Sequence, residues 1–210
     1  SDWDVVLTDV TTISAGGQHT CALLTSKEAK CWGSGSDGAL GVGVFSATAL
    51  NPVRVLASGT ESSSPVALTD ITAISAEGSS TCAMLTNTEA RCWGYNGDQQ
   101  ICDGSSVRRA NPVTVLASGT AASSPVALTN VTAIAAAINH TCAILVSKQL
   151  SCWGNNTSGQ LGDGTTTQRI NPVTVLSGGS PLSNVGVTAI TPPSAPTIDL
   201  IFPADAKLTV

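Results

Sequence analysis

Cysteine recurs in this chain at a fixed interval, and that interval constrains the fold more than any other feature. Cys21, Cys82 and Cys142 stand 61 and 60 residues apart, as do Cys31, Cys92 and Cys152. Cys-Trp-Gly triplets at 31–33, 92–94 and 152–154 keep the phase, and Asn-Pro-Val returns at 51–53, 111–113 and 171–173. The segments 56–74 and 116–134 agree at 15 of 19 positions, the mark of a recent duplication. Self-similarity at such a period means one supersecondary unit repeated, with each copy unable to bury its apolar face alone.

Within each copy, short apolar stretches are bounded by Gly, Pro, Ser and Asn, which favours strands over helices. In the third copy the reading places strands at Val131–Ala135, Thr141–Val146, Leu150–Trp153 and Pro172–Leu176. One four-stranded antiparallel sheet per 60 residues is the pattern of a β-propeller blade, packed face to face on the next. Small residues at the end of the first strand (Ser14, Ala15 and Gly16; Ser75 and Ala76; Ala135, Ala136 and Ala137) suit the crowded strand nearest a propeller axis.

The expected organisation is a first strand and blade 1 over 1–70, blade 2 over 71–130, blade 3 over 131–186, and a non-repeating end over 187–210. In that last part Val187, Thr188, Ala189 and Ile190 repeat the start of a blade with no second, third or fourth strand behind them. A Pro-rich stretch follows, and then a strand-like tail holding Ile198, Leu200 and Phe202. Three blades fall short of the four of the smallest closed rings. The expectation is therefore all-β, a partial or open propeller whose terminal strands serve assembly.

The motif G-x-x-H-T-C-A-L-L, seen as GGQHTCALL at 16–24, and the run CWGNNTSGQLGDGTTTQRINPVTV at 152–175 resemble the repeat of the regulator of chromosome condensation family. Secreted bacterial relatives with two cysteines per blade are the nearest in pattern. The resemblance spans about residues 5–190 and implies a β-propeller, usually of seven blades. It implies no single function, since the family holds nucleotide-exchange factors, secreted enzyme inhibitors and surface proteins. Two departures stand out. The hairpin usually closed by Asp-Gly reads Ser26-Lys27-Glu28, Asn87-Thr88-Glu89 and Ser147-Lys148-Gln149, and Ser80 replaces the histidine found as His19 and His140.

Cys21 and Cys31 fall opposite each other across a predicted hairpin, as do Cys82 with Cys92 and Cys142 with Cys152. Opposed residues at a non-hydrogen-bonded site lie within disulfide reach, so three disulfides inside blades are expected, together with an oxidising, extracellular or cell-surface location. A metal site built from His19, Cys21 and Cys31 is disfavoured by the long Cys–Cys spacing and by Ser80. The histidines then have a structural role. Cys102 is left over, in phase with Gly41 and Gly162. Three roles are open to it: an inert buried thiol, an intermolecular disulfide, or a reactive thiol, in that order.

Chemistry-bearing clusters are scarce. Charged residues make up 11% of the chain and the net charge is −5, which argues against nucleic acid or an anionic membrane as partner. No catalytic constellation and no cofactor signature emerges. The Asp/Gly loops at 36–38 and 162–164 read first as turns rather than calcium ligands. Sequons occur at Asn130, Asn139, Asn155 and Asn156, and Arg108 and Arg109 read as a solvated pair. The only methionine is Met84, so a cleavage or other boundary is expected before Ser1. The most apolar stretch, 113–146, is broken by Pro125, Asn130, Asn139 and His140, and the expectation is a soluble protein.

Loops 34–50, 95–110 and 155–170 on one side, with 57–69, 117–129 and 177–186 on the other, are the expected binding surface. Phe45, Tyr95 and Ile170 are its apolar candidates. The leading functional expectation is a non-enzymatic extracellular structural protein on a microbial surface, a homo-oligomer or filament subunit. The alternative is part of a secreted seven-bladed propeller that binds a protein or glycan.

Overall fold

A computed structural model describes residues 6–45, 48–120, 123–178 and 180–181. The orphan repeat at Val187–Ile190 and the tail residues Ile198, Leu200 and Phe202 lie outside the described residues. Among the described residues every element is a strand. Blade 1 consists of β1 (Val10–Ala15), β2 (His19–Leu24), β3 (Ala29–Ser34) and β4 (Thr48–Arg54), hydrogen-bonded in that order, and a hairpin of β5 (Leu56–Thr60) and β6 (Ser63–Ala67) follows. Blade 2 is β7 (Ile71–Glu77), β8 (Ser80–Leu85), β9 (Ala90–Gly94) and β10 (Arg109–Thr114), with the hairpin β11 (Leu116–Thr120) and β12 (Ser123–Ala127). Blade 3 is β13 (Val131–Ala136), β14 (His140–Leu145), β15 (Leu150–Gly154) and β16 (Arg169–Thr174), followed by a short hairpin of β17 (Leu176–Ser177) and β18 (Ser180–Pro181).

All pairings in the sheets are antiparallel, and Cys21 faces Cys31, Cys82 faces Cys92 and Cys142 faces Cys152 in register. Each pair forms a disulfide with Cα atoms 4.1 Å apart. The turns between second and third strands close without Asp-Gly because Lys27, Thr88 and Lys148 themselves adopt positive φ, between 62° and 65°. The glycine of each Cys-Trp-Gly triplet is fixed by crowding. Gly33 has φ of 101°, and a Cβ there would sit 2.5 Å from the carbonyl oxygen of Gln18. Gly94 and Gly154 repeat that conformation.

The hairpins β5–β6 and β11–β12 correct the reading of 57–69 and 117–129 as loops. Their Ser-rich sequence lacks alternation because both faces of the outer strand stay in water, so period-2 patterning gave no signal. The fourth strand of blade 3 is also displaced. It runs Arg169–Thr174, and Leu176 opens the next hairpin.

The core lies between blades rather than within them. One cluster joins the disulfide Cys21–Cys31, Leu23, Leu40, Val55 and Leu68 of blade 1 to Ile71, Ile74, Ala83 and Trp93 of blade 2. A second joins Cys82–Cys92, Ile101, Cys102, Val115 and Leu128 of blade 2 to Val131, Ile134, Ala143 and Trp153 of blade 3. Every blade therefore has a disulfide face and a tryptophan face, and a junction sets one against the other.

Candidate binding surfaces

The polar contacts that cross a junction repeat from one to the next. Thr81 and Trp93 of blade 2 both donate to the carbonyl of Ala39 in blade 1, at 3.0 and 2.8 Å. Thr141 and Trp153 of blade 3 donate in the same way to the carbonyl of Gln100, at 2.9 and 2.8 Å. Near the axis, the Ser14 hydroxyl accepts from the Ala76 amide and the Ser75 hydroxyl from the Ala136 amide, both at 2.9 Å. Asn111 donates to the carbonyls of Leu56 and Gly59, and Asn171 to that of Gly119, tying each fourth strand to the preceding hairpin. Buried hydrogen bonds of this kind fix a single docking geometry on an apolar contact.

His19 belongs to this set. Its Nε2 lies 2.7 Å from Thr81 Oγ1 across the first junction, and because that hydroxyl already donates to Ala39, the ring must donate. Burial holds the imidazole below its ordinary pKa, with Glu77 opposing, which keeps the ring neutral. The structural role of this histidine is therefore a bond to the neighbouring blade. Ser80 takes its place at the second junction, and His140 occupies it on the disulfide face of blade 3, half-buried.

Among the described residues no blade covers the tryptophan face of blade 1. Val10 and Ile13 are 39% and 58% exposed, whereas their in-phase equivalents Ile71, Ile74, Val131 and Ile134 are 1%, 4%, 1% and 8% exposed. Leu50 is 89% exposed on the same face, and Asn51 is exposed where Asn111 and Asn171 are bonded. Trp32 and Thr20 are only half-buried. At the other end, Gln160, Val175 and Leu176 of blade 3 are half-buried where Gln100, Val115 and Leu116 are buried.

The connecting loops of blades 2 and 3 are locked internally. Asn96 Nδ2 donates to Asp103 and to the carbonyls of Ser105 and Val107, and its Oδ1 accepts from the Ile101 amide. Asn156 does the same with Asp163, Thr165, Thr167 and Leu161. Arg109 pairs with Asp103 at 2.5 Å and Arg169 with Asp163 at 2.6 Å. Burial tends to raise the Asp163 pKa, but hydrogen bonds from Thr165, Arg169 and Asn156 outweigh it and hold the carboxyl at about 2. Asp163 therefore serves its own loop. Asn156, fully buried, cannot accept a glycan in the folded chain.

The sequence candidates are dispersed. Phe45 is half-exposed beneath the Arg108 guanidinium, 4.5 Å from the ring centroid, and Arg108 also meets Asp37 at 3.6 Å. Arg108 is thus exposed, as a solvated residue would be, whereas Arg109 partners the buried carboxylate of Asp103. Tyr95 is exposed and lies over Gly97. Ile170 is half-buried at the second junction, where its carbonyl accepts from the Cys102 thiol. The three lie on three different blades.

Cys102 is fully buried, at φ of 60° where Gly41 and Gly162 have 70° and 63°. Its thiol lies within hydrogen-bond reach of the carbonyls of Leu116 and Ile170, between which its single proton can be shared, and burial pushes its pKa far up. So placed, it is a packed thiol beyond reach of a second chain, in place of the intermolecular bridge considered above. Among the described residues, no group of three His, Cys, Asp or Glu converges as a metal would require, and no helix is long and apolar enough to cross a membrane.

Residues 10–39 and 131–160 match the family profile described as the regulator of chromosome condensation (RCC1) repeat. Among solved structures, the chain resembles yeast RCC1 (Prp20) bound to Kap60, at 18% identity and a TM-score of 0.62, over 81% of this chain and 38% of that one. It also resembles Prp20p from Saccharomyces cerevisiae, whose structure was described with its binding to Gsp1p and histones, at 19% identity and a TM-score of 0.60, over 81% and 39%. Such identities carry the fold and nothing further. The chain folds into β-propeller-type blades, two of its segments match the RCC1 repeat, and it spans about two fifths of the length of the structures it resembles.

Proposed function

We propose that the chain is a non-enzymatic, exported protein-binding module that docks and self-assembles through the open face of blade 1. The observation that carries this reading is the exposure of Val10, Ile13 and Leu50 beside the half-buried Trp32 and Thr20, on a face whose equivalents in blades 2 and 3 are covered. Three disulfides support folding in an oxidising compartment, outside the cytosol. The RCC1-type fold, whose solved examples include one bound to Kap60, is compatible with protein recognition. A place on a microbial surface fits the same composition, since a sheet face built for contact but left open favours association.

Hydroxyl-radical footprinting over a dilution series tests this. Val10, Ile13, Leu50 and Trp32 are expected to label strongly in dilute protein and to be protected as concentration rises. Unchanged labelling across the series, with no protection from material of the native source, would overturn the reading.

A further inference from the structure

The two junctions inside the chain differ at one titratable group. We propose that the first junction is an acid-sensitive catch: protonation of His19 loosens the contact between blades 1 and 2, while the contact between blades 2 and 3, with Ser80 at this place, holds. The device lies inside the chain and does not depend on the docking proposed above.

His19 opens β2 and is 4% exposed. Its Nε2 donates to Thr81, Thr81 donates to the carbonyl of Ala39, and Trp93 donates to that same carbonyl. The ring therefore heads a chain of bonds on which blade 2 is seated. Because Nε2 already carries a proton, the proton that charges the ring goes to Nδ1. That atom lies against Gly16, where an added Cβ would come within 2.7 Å of it, and it has no hydrogen-bond partner among the described residues. A charge buried without a bond costs more than the same charge in water. Acid therefore favours the parted junction, in which the ring is solvated.

The charges around the ring do not cancel this cost. β1 and β8 carry no charged residue, and on β3 Lys30 stands opposite Ala22 rather than His19. Asp37, in the loop after β3, is paired with Arg108. From blade 2, Glu77 at the end of β7 favours the charged ring, but burial outweighs it, and the Glu77 carboxylate is itself held by the Gly78 amide at 3.1 Å. The sign follows from linkage. The ring stays neutral in the closed junction to a lower pH than in the parted one, so closure is complete above about pH 6.5 and weakens as pH falls below it.

Hydrogen exchange of single amides, followed by NMR between about pH 7.5 and 5.5 and expressed as protection factors to remove the intrinsic pH dependence, tests this. The Gly17 amide donates to the Gly78 carbonyl at 2.8 Å and the Ala76 amide to Ser14 at 2.9 Å, both across the first junction. The Ala136 amide donates to Ser75 across the second. Protection at Gly17 and Ala76 is expected to fall by up to about tenfold over this range, and protection at Ala136 to stay level. His19→Ser, which installs the residue blade 2 carries, is expected to flatten the profile, and Glu77→Gln to deepen the fall by removing the opposing charge. An equal fall at Ala136, or no fall at Gly17 and Ala76, would overturn the proposal from the parent chain alone. A fall that persists in His19→Ser, or one no deeper in Glu77→Gln, would overturn it as well.

Discussion

Ile13 and Ile74 occupy the same place in two copies of one sheet, yet one is 58% exposed and the other 4%. The strands around them are alike in length, pairing and sequence pattern. What differs is the neighbour: blade 2 rests on the disulfide face of blade 1, and blade 1 rests on nothing among the described residues. Burial in this protein is therefore decided between units rather than within them, as in repeat architectures whose stability divides into unit and nearest-neighbour contributions. Among the described residues the same face is core in two copies and surface in the third.

The largest effect expected from this contrast is at the tryptophans. Trp93→Ala should destabilise the monomer by about 3–5 kcal/mol, through lost burial and a cavity in the first junction. It also leaves the Ala39 carbonyl with one donor fewer. Trp32→Ala should cost less than half as much in dilute protein, because its ring is already partly in water. Guanidinium unfolding followed by far-UV circular dichroism measures both, and equal losses would mean that blade 1 is covered after all.

The isoleucines sharpen the same point. Ile74→Ala is expected to cost about 2–4 kcal/mol and Ile13→Ala no more than about 0.5 kcal/mol in the dilute monomer. A loss of association in Ile13→Ala without a loss of stability would separate docking from folding.

The disulfides give a third comparison. Cys21–Cys31 and Cys82–Cys92 are sealed inside junctions, while Cys142 is half-buried, with no junction over it among the described residues. Mild reductant with mass-spectrometric mapping of alkylated thiols should find Cys142–Cys152 opened first, at a cost of about 2–3 kcal/mol of stability. Uniform reduction of all three would argue against a junction core. Association should slow that first reduction.

The smallest effect concerns pH. The folded pKa of Asp163, about 2, lies below its unfolded value of 3.8. The stability it contributes is thus complete above about pH 4 and is lost as pH falls through about 2. Thermal melts of Asp163→Asn should lack that stretch of the acid limb shown by the parent chain. Blade 1 has Val42 and Ala49 in place of this Asp and Arg, so no blade 1 residue should alter it.

Repetition made much of the fold legible. The Cys-Trp-Gly and Asn-Pro-Val phases located the blades, and a hairpin's opposed positions located the cysteine pairs. The hairpins after each fourth strand were not legible, because Ser-rich strands with two wet faces carry no alternation. The candidate site was hidden for a related reason. Phe45 and Tyr95 stand out as apolar residues in loops, whereas Val10, Ile13 and Trp32 repeat the residue types of the covered copies, and nothing in the sequence marks their copy as the exposed one. The in-phase recurrence of Asn96, Asp103 and Arg109 as Asn156, Asp163 and Arg169 was available as a signal for the locked loops, and Gly35, Val42 and Ala49 mark its absence from blade 1.

Sedimentation equilibrium of the oxidised 210-residue chain across a wide concentration range tests the central claim most directly. The predicted result is a mass that rises from 21.0 kDa with concentration, and that stays at 21.0 kDa for Ile13→Asp. A mass fixed at 21.0 kDa for the parent chain at every concentration would contradict the account.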